Sequence, residues 1–163
     1  MKTASLHELK KEISHLSEDE LKAMLTALAK FSKDNKELLN YLLFEADFES
    51  NYIDKLKEEL NIQFSELNKS HIRFLKKGLQ KILRELKKNI KYSGKKQTEI
   101  ELLLHFCHKM IDTKVKLGRF PVLLNMYNRQ VTTIQKAVSK LDEDLQYDYR
   151  EEIELVEAHT QGL

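Results

Sequence analysis

Chain-breaking residues are almost missing from this sequence: one proline, Pro121, and four glycines, Gly78, Gly94, Gly118 and Gly162, serve 163 positions. Strands joined by hairpins need turn residues every few positions. So sparse a supply argues against a sheet-rich fold and for an all-α chain. Helix starts support this, because Ser5 with Glu8, Ser17 with Glu20 and Asp34 with Glu37 have the spacing of capping boxes. In that geometry the first side chain accepts from a free backbone N–H and the glutamate returns the bond.

The spacing predicts helices near 6–14, 18–31 and 35–46. Their apolar sets are Leu6/Leu9/Ile13, Leu21/Leu25/Leu28 and Leu38/Leu39/Leu42/Leu43, all at helical intervals. A fourth helix over 49–67 carries Ile53, Leu56, Leu60 and Phe64 on one face. A fifth follows over 69–93, with Gly94 where a left-handed C-cap belongs. The sixth runs over 96–116 with Gly118 as its stop. Pro121 opens the seventh, to about residue 141, at a position where a missing N–H costs nothing. The eighth, after Asp142, carries Leu145, Tyr149, Ile153 and Val156.

About eight helices with short connections imply successive antiparallel hairpins, either a short solenoid-like array or a compact bundle. No linker or composition shift marks a boundary, so residues 1–163 are expected to form a single all-helical domain. A chain of this length buries about 70% of its unfolded surface without staples. Cys107 is the only cysteine, which leaves no internal disulfide. Neither a signal-like apolar run nor a stretch of about 18 apolar residues occurs, so the expected location is the cytoplasm.

The runs LKKEISHLSEDELKAMLTAL (9–28), NKELLNYLLFE (35–45) and LKKGLQKILRELKKNIKY (75–92) resemble a bacterial family of all-helical domains of unknown function built of helical hairpins. The resemblance covers about the first two thirds of the chain. It implies a fold of helical hairpins, and neither an activity nor site residues.

Charge is concentrated in one place. Between Arg73 and Lys96 ten basic residues meet one acid, Glu85, while the rest of the chain holds 18 basic and 25 acidic residues. At 100° per residue, Ile72, Leu75, Leu79, Ile82, Leu83, Leu86 and Ile90 share one face. Arg73, Lys77, Lys81, Arg84, Lys88 and Lys91 lie opposite, as a cationic ridge about 27 Å long. Such a ridge suits a phosphate backbone, whose neutralisation releases counterions, or anionic lipid or an acidic partner. The competing reading is a solvated face answered by acidic helices, such as that of Glu18–Glu20 or of Glu151 and Glu152. Neither interleaved aromatic platforms nor a recognisable nucleic-acid motif accompanies the charge.

On the sixth helix Glu101, His105, His108 and Asp112 stand four, three and four residues apart, along one stripe. Carboxylates and imidazoles at these steps can approach a shared metal ion, although one straight helix rarely closes a coordination sphere. The competing reading is an exposed polar stripe. Cys107 falls on the apolar side, where free cysteine behaves as a small hydrophobe. Tyr41, Phe44, Phe48 and Tyr52 recur at three- or four-residue steps and are expected in the core, or, where exposed, in a groove for a partner helix. The segment 142–157 has Arg150 as its sole base and is a candidate partner for the ridge.

No glycine-rich phosphate loop, nucleophile elbow or zinc-type motif is present, so no catalytic residue and no cofactor is expected. The preferred expectation is a non-enzymatic helical module that binds a protein or peptide. The alternative is nucleic-acid or ribosome association through the basic helix, and the third is a metal-dependent activity at the four-residue stripe.

Overall fold

The computed structural model describes residues 2–160, which form α-helices and turns with no strand among them. The backbone divides into two units, Met1–Phe44 and Glu45–Leu163.

In the first unit α1 (Leu6–Ile13), α2 (Glu18–Phe31) and α3 (Lys33–Asn40) follow one another. Two of the three predicted capping boxes close: Ser5 Oγ accepts from the Glu8 amide at 3.3 Å while the Ser5 amide donates to Glu8 Oε2 at 2.7 Å, and Ser17 and Glu20 repeat the pattern. The third start differs from its expected place. Ser32 is the cap, its hydroxyl accepting from the Asn35 amide at 3.1 Å. Asp34 falls inside the first turn, where its charge complements the helix dipole. Asn35 Nδ2 also donates to the Leu28 carbonyl at 2.8 Å, tying α3 back to α2. After Asn40 the helix widens into a π turn, Tyr41–Glu45, instead of continuing to residue 46.

None of α1, α2 and α3 contains a buried residue. Their amphipathic faces are present as predicted, but they stay open to solvent.

The second unit comprises α4 (Glu49–Ser65), α5 (Ile72–Ser93), α6 (Lys96–Asp112), α7 (Pro121–Val138), α8 (Glu143–Asp148) and α9 (Arg150–Glu157), with a 3-10 turn at Leu117–Arg119. It is a bundle wrapped around α6, which packs against α4, α5, α7 and α9. Ile100, Leu102, Leu103, Leu104, Phe106, Cys107 and Met110 are all buried, so α6 is apolar around most of its circumference, the mark of a central helix. Phe64 of α4 meets Phe106 edge-on, with ring centroids 5.4 Å apart.

Several boundaries in this unit depart from expectation, α7 among them, which ends at Val138 and not near residue 141. Asn68 Oδ1 accepts from the Ser70 amide and hydroxyl, and this local turn delays the start of α5 to Ile72. Helix α6 stops at Asp112 and not at Gly118, because Lys114 takes up a left-handed φ of 58°. The last helix breaks at Tyr149 into α8 and α9. Its buried ring lies where a hydroxyl can donate to Glu101 Oε1 at 3.4 Å. Gly94 does cap α5 with a φ of 66°, as predicted. Beside it a polar latch joins three elements: the Ser93 and Thr98 hydroxyls donate to Glu49 Oε1, and Lys95 Nζ donates to Glu49 Oε2 at 2.9 Å. Among the described residues no helix is long and apolar enough to cross a membrane.

Candidate functional site

Helix α5 folds as its pattern requires. Leu75, Leu79, Ile82, Leu86 and Ile90 are buried, while Ile72 at the helix start stays partly open. The opposite side carries the ridge, with Arg73, Lys77, Lys81, Arg84 and Lys91 exposed and Lys88 half-buried. Among the described residues, Arg73, Lys77, Lys81, Arg84 and Lys91 form no ion pair, whereas Lys88 is engaged. The sole acid of the helix, Glu85, turns to α4 and accepts from Gln63 Nε2 at 3.2 Å.

Three acids of the segment 142–157 are engaged away from the ridge. Glu152 lies 3.6 Å from His108, Glu154 bonds Arg150 at 3.2 Å, and Glu157 accepts from Gln135 at 2.6 Å.

The stripe on α6 is divided among its neighbours. Glu101 receives Lys57 Nζ at 2.8 Å and Gln97 Nε2 at 3.4 Å. His105 Nε2 meets Asn61 Oδ1 at 2.9 Å. Burial first, and then the cations of Lys57 and Lys109, hold the His105 imidazole below its usual range. His108 faces Glu152 on α9, and Asp112 lies 3.6 Å from Lys109 on its own helix. Among the described residues no group of three or more His, Cys, Asp or Glu side chains is placed to hold a metal ion. Three of the four instead make a polar seam, Glu101 and His105 toward α4 and His108 toward α9, while Asp112 stays exposed beside Lys109. Cys107 sits in the core as expected, and burial pushes its thiol up to about 12.

The aromatic series splits. Tyr41 and Tyr52 are buried, but Phe44 and Phe48 are 67% and 66% exposed. A three- or four-residue step places side chains on one helical face only while the helix is regular, and here a π turn and the bend before Glu49 interrupt it. Tyr127 and Tyr149 are buried, and Tyr147 is exposed.

Two surfaces are more extensive than the sequence reading gave them. The first is the open apolar face of the amino-terminal unit, where Met24, Leu25, Leu28 and Phe31 follow one stripe of α2 and Phe31 is 85% exposed. Leu6, Leu9 and Ile13 on α1, and Leu42, Leu43 and Phe44 in the π turn, are exposed as well. The second is a trough between α5 and α7. One stretch, about 590 Å³, is lined by Lys87, Asn125, Asn128, Arg129, Thr132, Thr133 and Lys136. The next, about 390 Å³, shares Lys87 and Thr133 and adds Lys91, Lys95 and Lys96. The α7 residues escaped notice because two cations spread among asparagines and threonines do not register as a charge run; a polar stripe at steps of three and four was the available signal. Comparison of the chain with models of protein families, with curated proteins and with solved structures finds no match.

Proposed function

We propose that the chain is a non-enzymatic helical interaction module whose amino-terminal unit binds a protein or peptide segment. The observation that carries this reading is the absence of any buried residue in α1, α2 and α3, although α1 and α2 have well-formed apolar faces. Leaving such a face in water forgoes roughly 25 cal/mol for each Å². Exposed apolar surface rimmed by charge is the usual sign of a protein-binding site. Leu21, Met24, Leu25 and Leu28 stand at i, i+3, i+4 and i+7, Leu21 half-buried and the others exposed, with Phe31 extending the stripe; this is the anchoring by which amphipathic helices engage one another. The partner is accordingly a segment with its own apolar helical stripe.

Photocrosslinking in cells tests this. A benzophenone side chain in place of Phe31 is expected to trap a discrete protein adduct, and Leu25→Asp with Leu28→Asp is expected to abolish it. The same probe at Tyr147, exposed on the second unit, gives the background. An adduct no stronger than that background, or one indifferent to the two aspartates, sinks the reading.

A further inference from the structure

The trough between α5 and α7 holds a concentration of positive charge that the fold does not use. Among the described residues, Lys87, Lys91, Arg129 and Lys136 line it without an ion pair of their own. Lys95 and Lys96 stand at its end, already bound to Glu49 and Glu99 at 2.9 Å. Glu99 is the one acid in the lining, and Lys96 neutralises it. Like charges gathered in a concave, polar surface repel one another and focus a positive potential outward. They lower the stability of the unit unless an anion occupies the trough.

We infer that α5 and α7 together form a docking trough for the phosphodiester backbone of a nucleic-acid duplex, a role independent of the protein-binding reading above. Asn125, Arg129, Thr132 and Lys136 succeed one another at steps of four, three and four, so α7 presents one polar, cationic stripe along the trough. The Thr132 and Thr133 hydroxyls donate to the carbonyls of Asn128 and Arg129 in their own helix. Phosphate contact therefore falls to the four cations and the Asn125 amide, the kind of donors that fix a duplex in place without reading its sequence. The basic row of α5 continues outward through Arg84, Lys77 and Arg73. Along its length of about 27 Å, a duplex carries on the order of sixteen charges at one per 1.7 Å.

The lining chooses among anionic partners. Single-strand binders stack bases on exposed aromatic rings, and no aromatic residue lines the trough. Its apolar members, Ile90 and Leu103, are buried, so nothing projects to enter a lipid surface. An acidic protein segment is the remaining competitor, and the experiment separates it.

Fluorescence anisotropy of the full chain with a labelled duplex of about 20 base pairs, as DNA and as RNA, tests the inference across about 50–200 mM salt. The matched single strand and polyglutamate serve as competitors. Contact with about four phosphates predicts a log–log salt slope of about −3.6. The triple variant Lys87→Glu, Arg129→Glu, Lys136→Glu is expected to lose at least about tenfold in affinity. An equal charge change at residues outside the trough's lining, Lys69→Glu, Lys114→Glu, Lys116→Glu, is expected to lose less than about twofold, since contacts and not net charge set the counterion release. A neutral triple to glutamine, with helix content checked by circular dichroism, guards against a folding defect. No binding to either duplex at the lowest salt overturns the inference. So does an equal loss in both triples, or competition by the single strand or by polyglutamate as strong as by the duplex.

Discussion

The hydroxyl of Tyr127, wholly buried in α7, donates a hydrogen bond of 2.7 Å to the backbone carbonyl of Val156 in the last turn of α9. This bond gives a further donor to a helix-terminal carbonyl that also accepts a long bond from the His159 amide, at 3.3 Å. Tyr127→Phe keeps the ring and removes the donor. A loss of about 1–2 kcal/mol in urea unfolding is expected, with amide exchange rising first in α9. An unchanged stability with unchanged exchange refutes that role for the bond.

Alkaline pH acts on two neighbouring core groups. Burial raises the Cys107 thiol from an ordinary 9.0 to about 12, and burial, followed by Cys107, raises the Tyr127 phenol above its ordinary 10.0. Both groups are neutral below their unfolded pKa, so their contribution is complete there. As pH rises past that value the unfolded chain ionises and the native one does not. Stability therefore holds to about pH 9 and then falls, by up to about 1.4 kcal/mol per pH unit for each group. Cys107→Ala moves the onset to about pH 10. Urea midpoints between pH 8 and pH 11 measure this, and a flat profile contradicts it.

Left-handed backbone gives a pair of opposite outcomes. Lys114 holds a φ of 58°, which a side chain with a β-carbon occupies at a cost of about 1–2 kcal/mol, whereas Gly94 holds a φ of 66° at no such cost. Lys114→Gly is expected to stabilise the chain by about 0.5–1 kcal/mol, and Gly94→Ala to destabilise it by about 1 kcal/mol. Thermal melting of the two variants checks the signs.

Gln130 is buried in α7, its Nε2 donating to the Met126 carbonyl at 2.7 Å while its Oε1 has no hydrogen-bond partner among the described residues. An unmet buried acceptor costs about 1–3 kcal/mol. Gln130→Met keeps the length of the side chain without that acceptor, and is expected to be neutral or stabilising by up to about 1 kcal/mol. Chemical denaturation decides it, and a loss above about 1 kcal/mol assigns the amide a structural role.

How far these features were legible depends on the range of the interactions behind them. Ser5, Ser17 and Gly94 act over four residues or fewer, and the helix ends they set appear where the spacing places them. Ser32 displaced Asp34 as the third cap because both side chains compete for neighbouring amides, and the competition is settled by the approach of the preceding helix. Gly118 is a good stop signal that is not used, since Lys114 turns the chain four residues earlier. Phe44 and Phe48 have core-like spacing and lie in water, because periodicity identifies an apolar face without saying whether anything covers it. The ridge on α5 was readable residue by residue; the trough beside it was not, because Lys87 and Arg129 are brought together only by the packing of α5 and α7 around α6. Glu101, His105 and His108 do share a stripe, but their partners Lys57, Asn61 and Glu152 sit more than forty residues away in sequence.

The burial of α6 on nearly every side makes tolerance to change unequal along the chain. A substitution in α1 or α2 alters one surface and leaves its neighbours intact, so those helices are free to diversify. A change of one methylene at Leu103 or Phe106 is felt by several helices at once, since close-packed side chains pass a displacement on. Laboratory selection for new binding properties would find its variants in the amino-terminal unit and along α7. The central helix would stay fixed, as the part of the molecule least able to accept mutation.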